Sequence, residues 1–154
     1  MKLTASIITA TIALFATASV AESGGGFMKK CEDIRLEGVN YRKCDKDECR
    51  TLTYFKLWAE CTALDDKPYK NELNLNLCLV NDHGNMQWRR RGGFDQSCQK
   101  CSISKANKKK VEMTCYCSDG VNKILSRSTL DLNKYIELKG NTIWCGDEMG
   151  IAYA

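Results

Sequence analysis

The sequence of 154 residues holds a single histidine and a single proline, and only 8% of it is aromatic. One histidine excludes mechanisms that need several, and any Ser-His-Asp set would depend on His83 alone. Apolar residues show no sustained 3.6-residue period, so long amphipathic helices are not expected. Beyond residues 3–20 no apolar run is long enough to span a bilayer. The formal net charge of +4 is mild. Without a basic helix or a stacking motif it gives no reason to expect nucleic-acid binding. No Asn-x-Ser/Thr acceptor (x not Pro) occurs, so no N-linked glycan is expected.

Cysteine is the residue in excess, with ten in a chain of one-domain size. That density indicates a disulfide-stapled protein of an oxidising compartment. The even count argues against a catalytic thiol. Lys2, an uncharged stretch with Ile7, Ile8, Ile12, Leu14 and Phe15, and small residues at Ser19 and Ala21 have the pattern of a secretory leader. The expectation is cleavage after Ala21, leader 1–21, and a secreted, extracellular product with no membrane insertion. Residues 22–26, with Ser23 and three glycines, read as a flexible lead-in.

An internal repeat is the most informative feature. Gly25-Gly26-Phe27 precedes Cys31 as Gly92-Gly93-Phe94 precedes Cys98. Leu75-Asn76 leads to Trp88, and Leu132-Asn133 leads to Trp144, each through a Gly-Asn turn and a short strand. The repeats run from 25 to 91 and from 92 to 146, with 147–154 left as a C-terminal tail. The first has 11 more residues between Cys31 and Cys61 than the second has between Cys98 and Cys117, and this insertion (42–52) carries Cys44 and Cys49. Local patterning is β: Ile34 and Leu36 alternate with polar residues, Thr51–Trp58 is rich in Thr and aromatics, and Val111, Met113 and Cys115 alternate. Asp65-Asp66-Lys67-Pro68 suits a hairpin tip. The fold class is all-β, of short strands with 3-10 turns. One repeat of about 55–65 residues is marginal alone, so the two are expected to share strands. Phe27 and Phe94 read as core, Trp88 and Trp144 as core or interface, and Asn76 and Asn133 as caps of buried backbone.

Cys98-x-x-Cys101 and Cys115-x-Cys117 have index sums that differ by only one, as antiparallel partners with a bulge would. This favours Cys98–Cys117 and Cys101–Cys115 over a four-cysteine zinc site. Repeat correspondence adds Cys31–Cys61. Cys44, Cys49, Cys78 and Cys145 remain with three pairings open. Cys44–Cys49 with Cys78–Cys145 is preferred, because the first closes the insertion locally and the second ties the middle of the chain to its end.

Arg89-Arg90-Arg91 at the repeat junction and Lys108-Lys109-Lys110 on a hairpin loop read as solvated charge, although both could meet anionic glycans, phosphate or lipid. Arg90-Arg91 also has the form of a dibasic processing site. Asp65-Asp66, the Asp45/Asp47/Glu48 group and Asp147-Glu148 supply carboxylates of the kind glycosidases use. They fall in turns or the tail, and nothing sets two across a cleft, so no enzyme is expected.

Taken in order, these residues resemble a known family. Gly-Gly-Phe-x3-Cys-x2-Ile-x-Leu-x-Gly over 25–38, Leu75-Asn76 to Asn81-Asp82-His83-Gly84, and Trp88 are similar to the cyanovirin-N homology (CVNH) domain. So are Phe94, the Cys98/Cys101 and Cys115/Cys117 pattern, Leu130-Asp131-Leu132-Asn133, and Gly140-Asn141 to Trp144. The cysteine pattern resembles fungal members. The resemblance covers 27–146. It implies a pseudo-symmetric bilobal cyanovirin-N-like fold in which lobes exchange elements, so that Cys78 and Cys145 fall in one lobe. It also implies a lectin for mannose-rich oligosaccharides that uses no metal or other cofactor. Glycans or glycoproteins would be its partners, and a monomer or a domain-swapped dimer its state.

Carried over by position, the second-lobe site is Asn81, Asp82 and His83, Gly92, Gly93, Gln96 and Ser97, and Ser118 and Asp119. Asn81-Asp82-His83-Gly84 also makes a tight turn with no ligand at all. The first-lobe site would be Lys29, Lys30, Thr62, Leu64 and the 137–140 turn. Lysine and leucine suit mannose poorly there, so that site is expected to be lost or altered. If neither lobe binds sugar, the reading left is a secreted effector-like interaction protein on the same scaffold.

Overall fold

The computed structural model describes residues 25–45, 48–107, 109–122 and 124–153; the expected leader lies outside them, as does Lys108. In chain order the first repeat gives β1 (Cys31–Asp45), β2 (Glu48–Thr62), β3 (Pro68–Asn74), β4 (Leu79–Asp82) and β5 (Asn85–Trp88). The second gives β6 (Cys98–Asn107), β7 (Lys110–Ser118), β8 (Leu125–Asp131), β9 (Ile136–Lys139) and β10 (Thr142–Cys145), followed by β11 (Glu148–Met149) and β12 (Ile151–Tyr153). Three-residue 3-10 turns sit at Phe27–Lys29, Leu75–Leu77, Phe94–Gln96 and Leu132–Lys134. No described helix is long and apolar enough to cross a membrane.

The pleat follows the alternation read from the sequence. Along β2 the run Phe55, Leu57, Ala59, Cys61 faces the core, and along β7 the run Val111, Met113, Cys115, Cys117 does so. Two main antiparallel sheets result, β1-β2-β3 and β6-β7-β8, the first extended by β12, beside the smaller sheets β4-β5 and β9-β10-β11. Each strand set opens with the same irregularity. Asp33 and Lys100, each two residues past the first cysteine, take positive φ (48° and 51°), and the pairing register shifts beside each. A bulge of this kind tightens the local twist.

The lobes exchange hairpins. β4-β5, from the first repeat, packs on the second sheet, where the Met86 N–H donates to Ser128 Oγ at 2.8 Å. β9-β10, from the second repeat, packs on the first sheet, where the Ile143 N–H donates to Asn71 Oδ1 at 2.9 Å. Asn71 is fully buried and Ser128 nearly so, and each satisfies a backbone donor that the core would otherwise orphan. Phe27, Leu57, Leu73, Leu75, Leu79, Phe94, Met113, Leu132, Ile136 and Ile143 form one continuous core through both lobes. Each such side chain contributes about 1.5–3 kcal/mol by leaving water.

Five disulfides bind the frame: Cys31–Cys61, Cys44–Cys49, Cys98–Cys117, Cys101–Cys115 and Cys78–Cys145. The four cysteines 98, 101, 115 and 117 are therefore consumed as bridges rather than as a zinc site. Cys44 faces Cys49 near the end of the β1-β2 hairpin, so the insertion is a lengthened hairpin closed by its own bridge.

One boundary needs correction. Residues 147–153, expected as part of a tail, return into the fold. Gly146, at φ 60°, reverses the chain, β11 pairs with β10, and β12 adds to the edge of β3. A side chain on Gly150 would sit 2.6 Å from the Glu72 carbonyl oxygen, so only glycine lets the strand pass this close. Two- and three-residue strands carry no readable period, and this return was invisible to pattern reading. Glu148 also captures the repeat junction: Arg90 Nε lies 2.7 Å and Arg91 Nε 3.4 Å from its Oε1. Those arginines are engaged, not simply solvated.

Candidate functional site

The site begins with the β4-β5 turn. Asp82 and Asn85 pair, leaving His83 and Gly84 as a two-residue loop, both at positive φ (49° and 90°), as a tight hairpin of this hand requires. Asn81 locks it. Its Oδ1 accepts the Gly84 N–H at 2.8 Å, and its Nδ2 donates to Ser97 Oγ at 2.8 Å and to the Ser118 carbonyl at 2.7 Å. A single carboxamide thus joins the turn, the segment after the second repeat's 3-10 turn, and the end of β7. The Ser118 N–H closes the node on the Ser97 carbonyl at 2.8 Å.

Asp82 and His83 lie beyond this node and face solvent. Their side chains meet at 2.8 Å, with His83 80% and Asp82 39% exposed. Gln96 is also exposed. Asp119 has a different place. Its Oδ1 accepts the N–H groups of Val121 and Asn122 at 3.1 and 3.0 Å, folding the β7-β8 loop on itself. Gly92 and Gly93 are steric requirements: a Cβ on Gly92 would fall 2.3 Å from the Leu79 carbonyl oxygen, and Gly93 has φ 60°. Of the nine residues singled out, the structure therefore joins Asn81, Ser97 and Ser118 in one hydrogen-bonded node and presents Asp82, His83 and Gln96 outward. It uses Asp119, Gly92 and Gly93 to shape the frame.

Gln96, Ser97 and Ser118 line a groove of 610 Å³, within the usual size of small-ligand sites. Its opposite wall comes from the inserted hairpin, through Thr51, Leu52 and Thr53. Sequence reasoning missed this wall. The hairpin is held over the second lobe by Tyr41, whose hydroxyl donates to Asp95 Oδ2 at 3.0 Å. Burial, then that carboxylate, pushes the Tyr41 phenol above its ordinary value.

The first lobe has a matching cleft of 710 Å³. Lys29, Lys30 and Thr62 line it as expected, joined by Glu32 and by Lys105 from β6. Leu64 stands 90% exposed and is not among its walls, and the 137–140 turn does not reach it either. Among the described residues no group of three or more His, Cys, Asp or Glu is placed to hold a metal ion. Two of the candidate glycosidase carboxylates, Asp65 and Glu148, are taken up elsewhere. Asp65 accepts from Tyr69 Oη and the Lys67 N–H in the β2-β3 turn, and Glu148 binds the arginines.

A duplicated all-β scaffold, with exchanged hairpins and one shallow polar cleft per lobe, defines the class. A model of the CVNH domain family matches residues 27–142, and the chain belongs to that family, whose members are lectins rather than enzymes. Solved structures share the fold. The NMR structure of a Gibberella zeae CVNH protein aligns with TM-score 0.59 at 17% identity, over 77% of this chain and 95% of that one. Microvirin, solved as a mannobiose complex, aligns with TM-score 0.58 at 23% identity, over 79% and 99%. A MoCVNH3 variant in complex with (N-GlcNAc)4 aligns with TM-score 0.62 at 15% identity, over 79% and 97%. No curated protein matches the sequence.

Proposed function

We propose that this is a secreted lectin that binds mannose-type oligosaccharides at the second lobe, with the first-lobe cleft altered. The observation that carries it is the Asn81 node. It fixes a hairpin turn whose Asp82 carboxylate, His83 ring and neighbouring Gln96 amide offer acceptors and donors at a rigid, solvent-facing edge. Sugar hydroxyls need this kind of fixed polar array, since each hydrogen bond nets only about 0.5–1.5 kcal/mol against water. Family membership and the mannobiose complex of microvirin support the reading.

Binding of the refolded, oxidised chain (22–154) to a glycan array, followed by calorimetry on the hits, tests it. Asp82→Ala with His83→Ala should abolish mannose-type binding and leave the fold intact, because neither side chain belongs to the node. Asn81→Ala is the wrong probe, since it would unseat the turn itself. Silence of a correctly folded protein across a broad array would overturn the reading and leave an interaction protein on a lectin scaffold. Export is tested by sequencing the N-terminus of the mature product, which should begin at Glu22.

A further inference from the structure

The two clefts occupy equivalent places in the duplicated fold, and they differ in charge. Counted from the first cysteine of each repeat, Lys29 and Lys30 stand where Gln96 and Ser97 stand and Glu32 stands where Gln99 stands; counted from that cysteine's disulfide partner, Cys61 or Cys117, Thr62 takes the place of Ser118. Each cleft also receives a wall from the other repeat's long hairpin. β2 brings Thr51 and Thr53 to the second-lobe groove, whereas β6 brings Lys105 to the first-lobe cleft.

Duplication makes the second-lobe groove an internal reference for the first. Two positions that are neutral and polar in the second-lobe groove are lysines here, and a third lysine comes to the cleft from a separate strand. Glu32 is the one carboxylate among the described residues that line this cleft. Among the described residues none of the three ammonium groups forms an ion pair, although Lys56, Lys110 and Lys139 each have one. Like charges gathered without counter-ions repel one another, weakly in water and more strongly beside a low-dielectric wall. Here Met28, Cys31 and Ile34 form that wall. A cleft raises the local potential further by focusing it.

We propose that the first-lobe cleft is a binding site for an anionic saccharide, one carrying carboxylate or sulfate groups, with Lys29, Lys30 and Lys105 as its charge contacts and Thr62 as a hydroxyl partner. That the ligand is a saccharide rests on the lectin reading above; that it is anionic rests on the lysines alone. On this view the protein is bifunctional, with a neutral-sugar groove in one lobe and an acidic-sugar cleft in the other. Glycans that carry both features would gain from simultaneous engagement.

The test compares the intact oxidised protein with Lys29→Gln/Lys30→Ser, which installs the second groove's residues, and with Lys105→Gln. All are exposed positions, and circular dichroism checks that each variant folds. Probes are an oligogalacturonate, a heparin-derived sulfated oligosaccharide, a neutral mannose oligosaccharide and inorganic sulfate. The wild type should bind at least one of the acidic oligosaccharides, with affinity falling as salt rises. The double variant should lose about tenfold or more of that affinity, while neutral-mannose binding stays unchanged.

Mannose binding without any acidic-oligosaccharide binding would overturn the inference and spare the lectin reading. Acidic binding that the lysine variants leave unchanged would place the contact elsewhere, on Arg89 or Lys109–Lys110, and overturn it as well. Sulfate ion bound as tightly as the oligosaccharides would reduce the cleft to a simple anion site, against the proposal. Loss of mannose binding at the other lobe, with lysine-dependent acidic binding retained, would uphold the inference and fail the mannose reading.

Discussion

Asn133 Oδ1 accepts the backbone N–H of Met28 at 3.2 Å, and its counterpart Asn76 Oδ1 accepts the N–H of Asp95 at the same distance. Each Leu-Asn pair thus supports the opening 3-10 turn of the other repeat. The Gly26 N–H on the Asn133 carbonyl and the Gly93 N–H on the Asn76 carbonyl repeat the exchange on the main chain, at 2.7 and 3.0 Å. Neither lobe can be completed by its own repeat.

Asn133→Ala should therefore destabilise both lobes together. It leaves the Met28 N–H without its acceptor and removes the bond from Asn133 Nδ2 to the Lys109 carbonyl at 2.8 Å. The expected loss is about 1–3 kcal/mol. Urea unfolding followed by tryptophan fluorescence and by far-ultraviolet circular dichroism should give coincident transitions. Two separate transitions would mean that the lobes are independent.

Tyr41→Phe should cost about 1–3 kcal/mol, although it removes a single oxygen, because Asp95 is only 6% exposed as a residue and its carboxylate loses the Tyr41 donor. It should also loosen the inserted hairpin, seen as faster amide exchange over 48–55 while 111–117 keeps its protection. Unchanged exchange in the hairpin would show that its own pairing holds it in place.

The bridges should rank by the span they close. Removing Cys44–Cys49, with a separation of 5, should cost about 2 kcal/mol, and removing Cys78–Cys145, with a separation of 67, about 4 kcal/mol in the chain-entropy picture. Paired Cys→Ser variants compared by guanidinium unfolding give the order. Equal midpoints would show that the other cross-links already restrain the unfolded chain.

Arg90, chiefly through its hydrogen bond, holds the Glu148 carboxyl below its ordinary value of 4.5. A carboxyl lowered in the folded state contributes stability that is complete above pH 4.5 and is lost as pH falls through the folded value. Nuclear magnetic resonance titration of Glu148 should give a midpoint under 4.5 that rises in Arg90→Gln. No rise would mean that Arg91 alone sets it.

Much of the frame was legible because local chemistry carried it. Phe27 and Phe94, the glycines before them, and the Leu-Asn pairs recur at fixed spacing, and each spacing encodes one turn or one core position. Cys98, Cys101, Cys115 and Cys117 declare a hairpin because antiparallel partners keep a nearly constant index sum. The candidate site was legible only in part. Asn81 was chosen for its polarity, yet its hydrogen bonds to Ser97 and Ser118, 16 and 37 residues away, make it the keystone of the site. Thr51 and Thr53 gave no warning that they would wall the second lobe, because their placement depends on where the lengthened hairpin leans.

By itself, the sequence determined a duplicated, disulfide-stapled β protein, since repeat spacing, alternation and turn glycines act within a few residues of one another. Tertiary structure alone decided which repeat each hairpin serves, that the last residues return as an edge strand on β3, and that Lys105 joins Lys29 and Lys30 around one cleft. Those outcomes depend on burying a shared core and satisfying buried donors such as the Ile143 and Met86 N–H groups, through Asn71 and Ser128 far along the chain. Such constraints act between surfaces that meet only when the chain has folded, and they leave no period in the sequence.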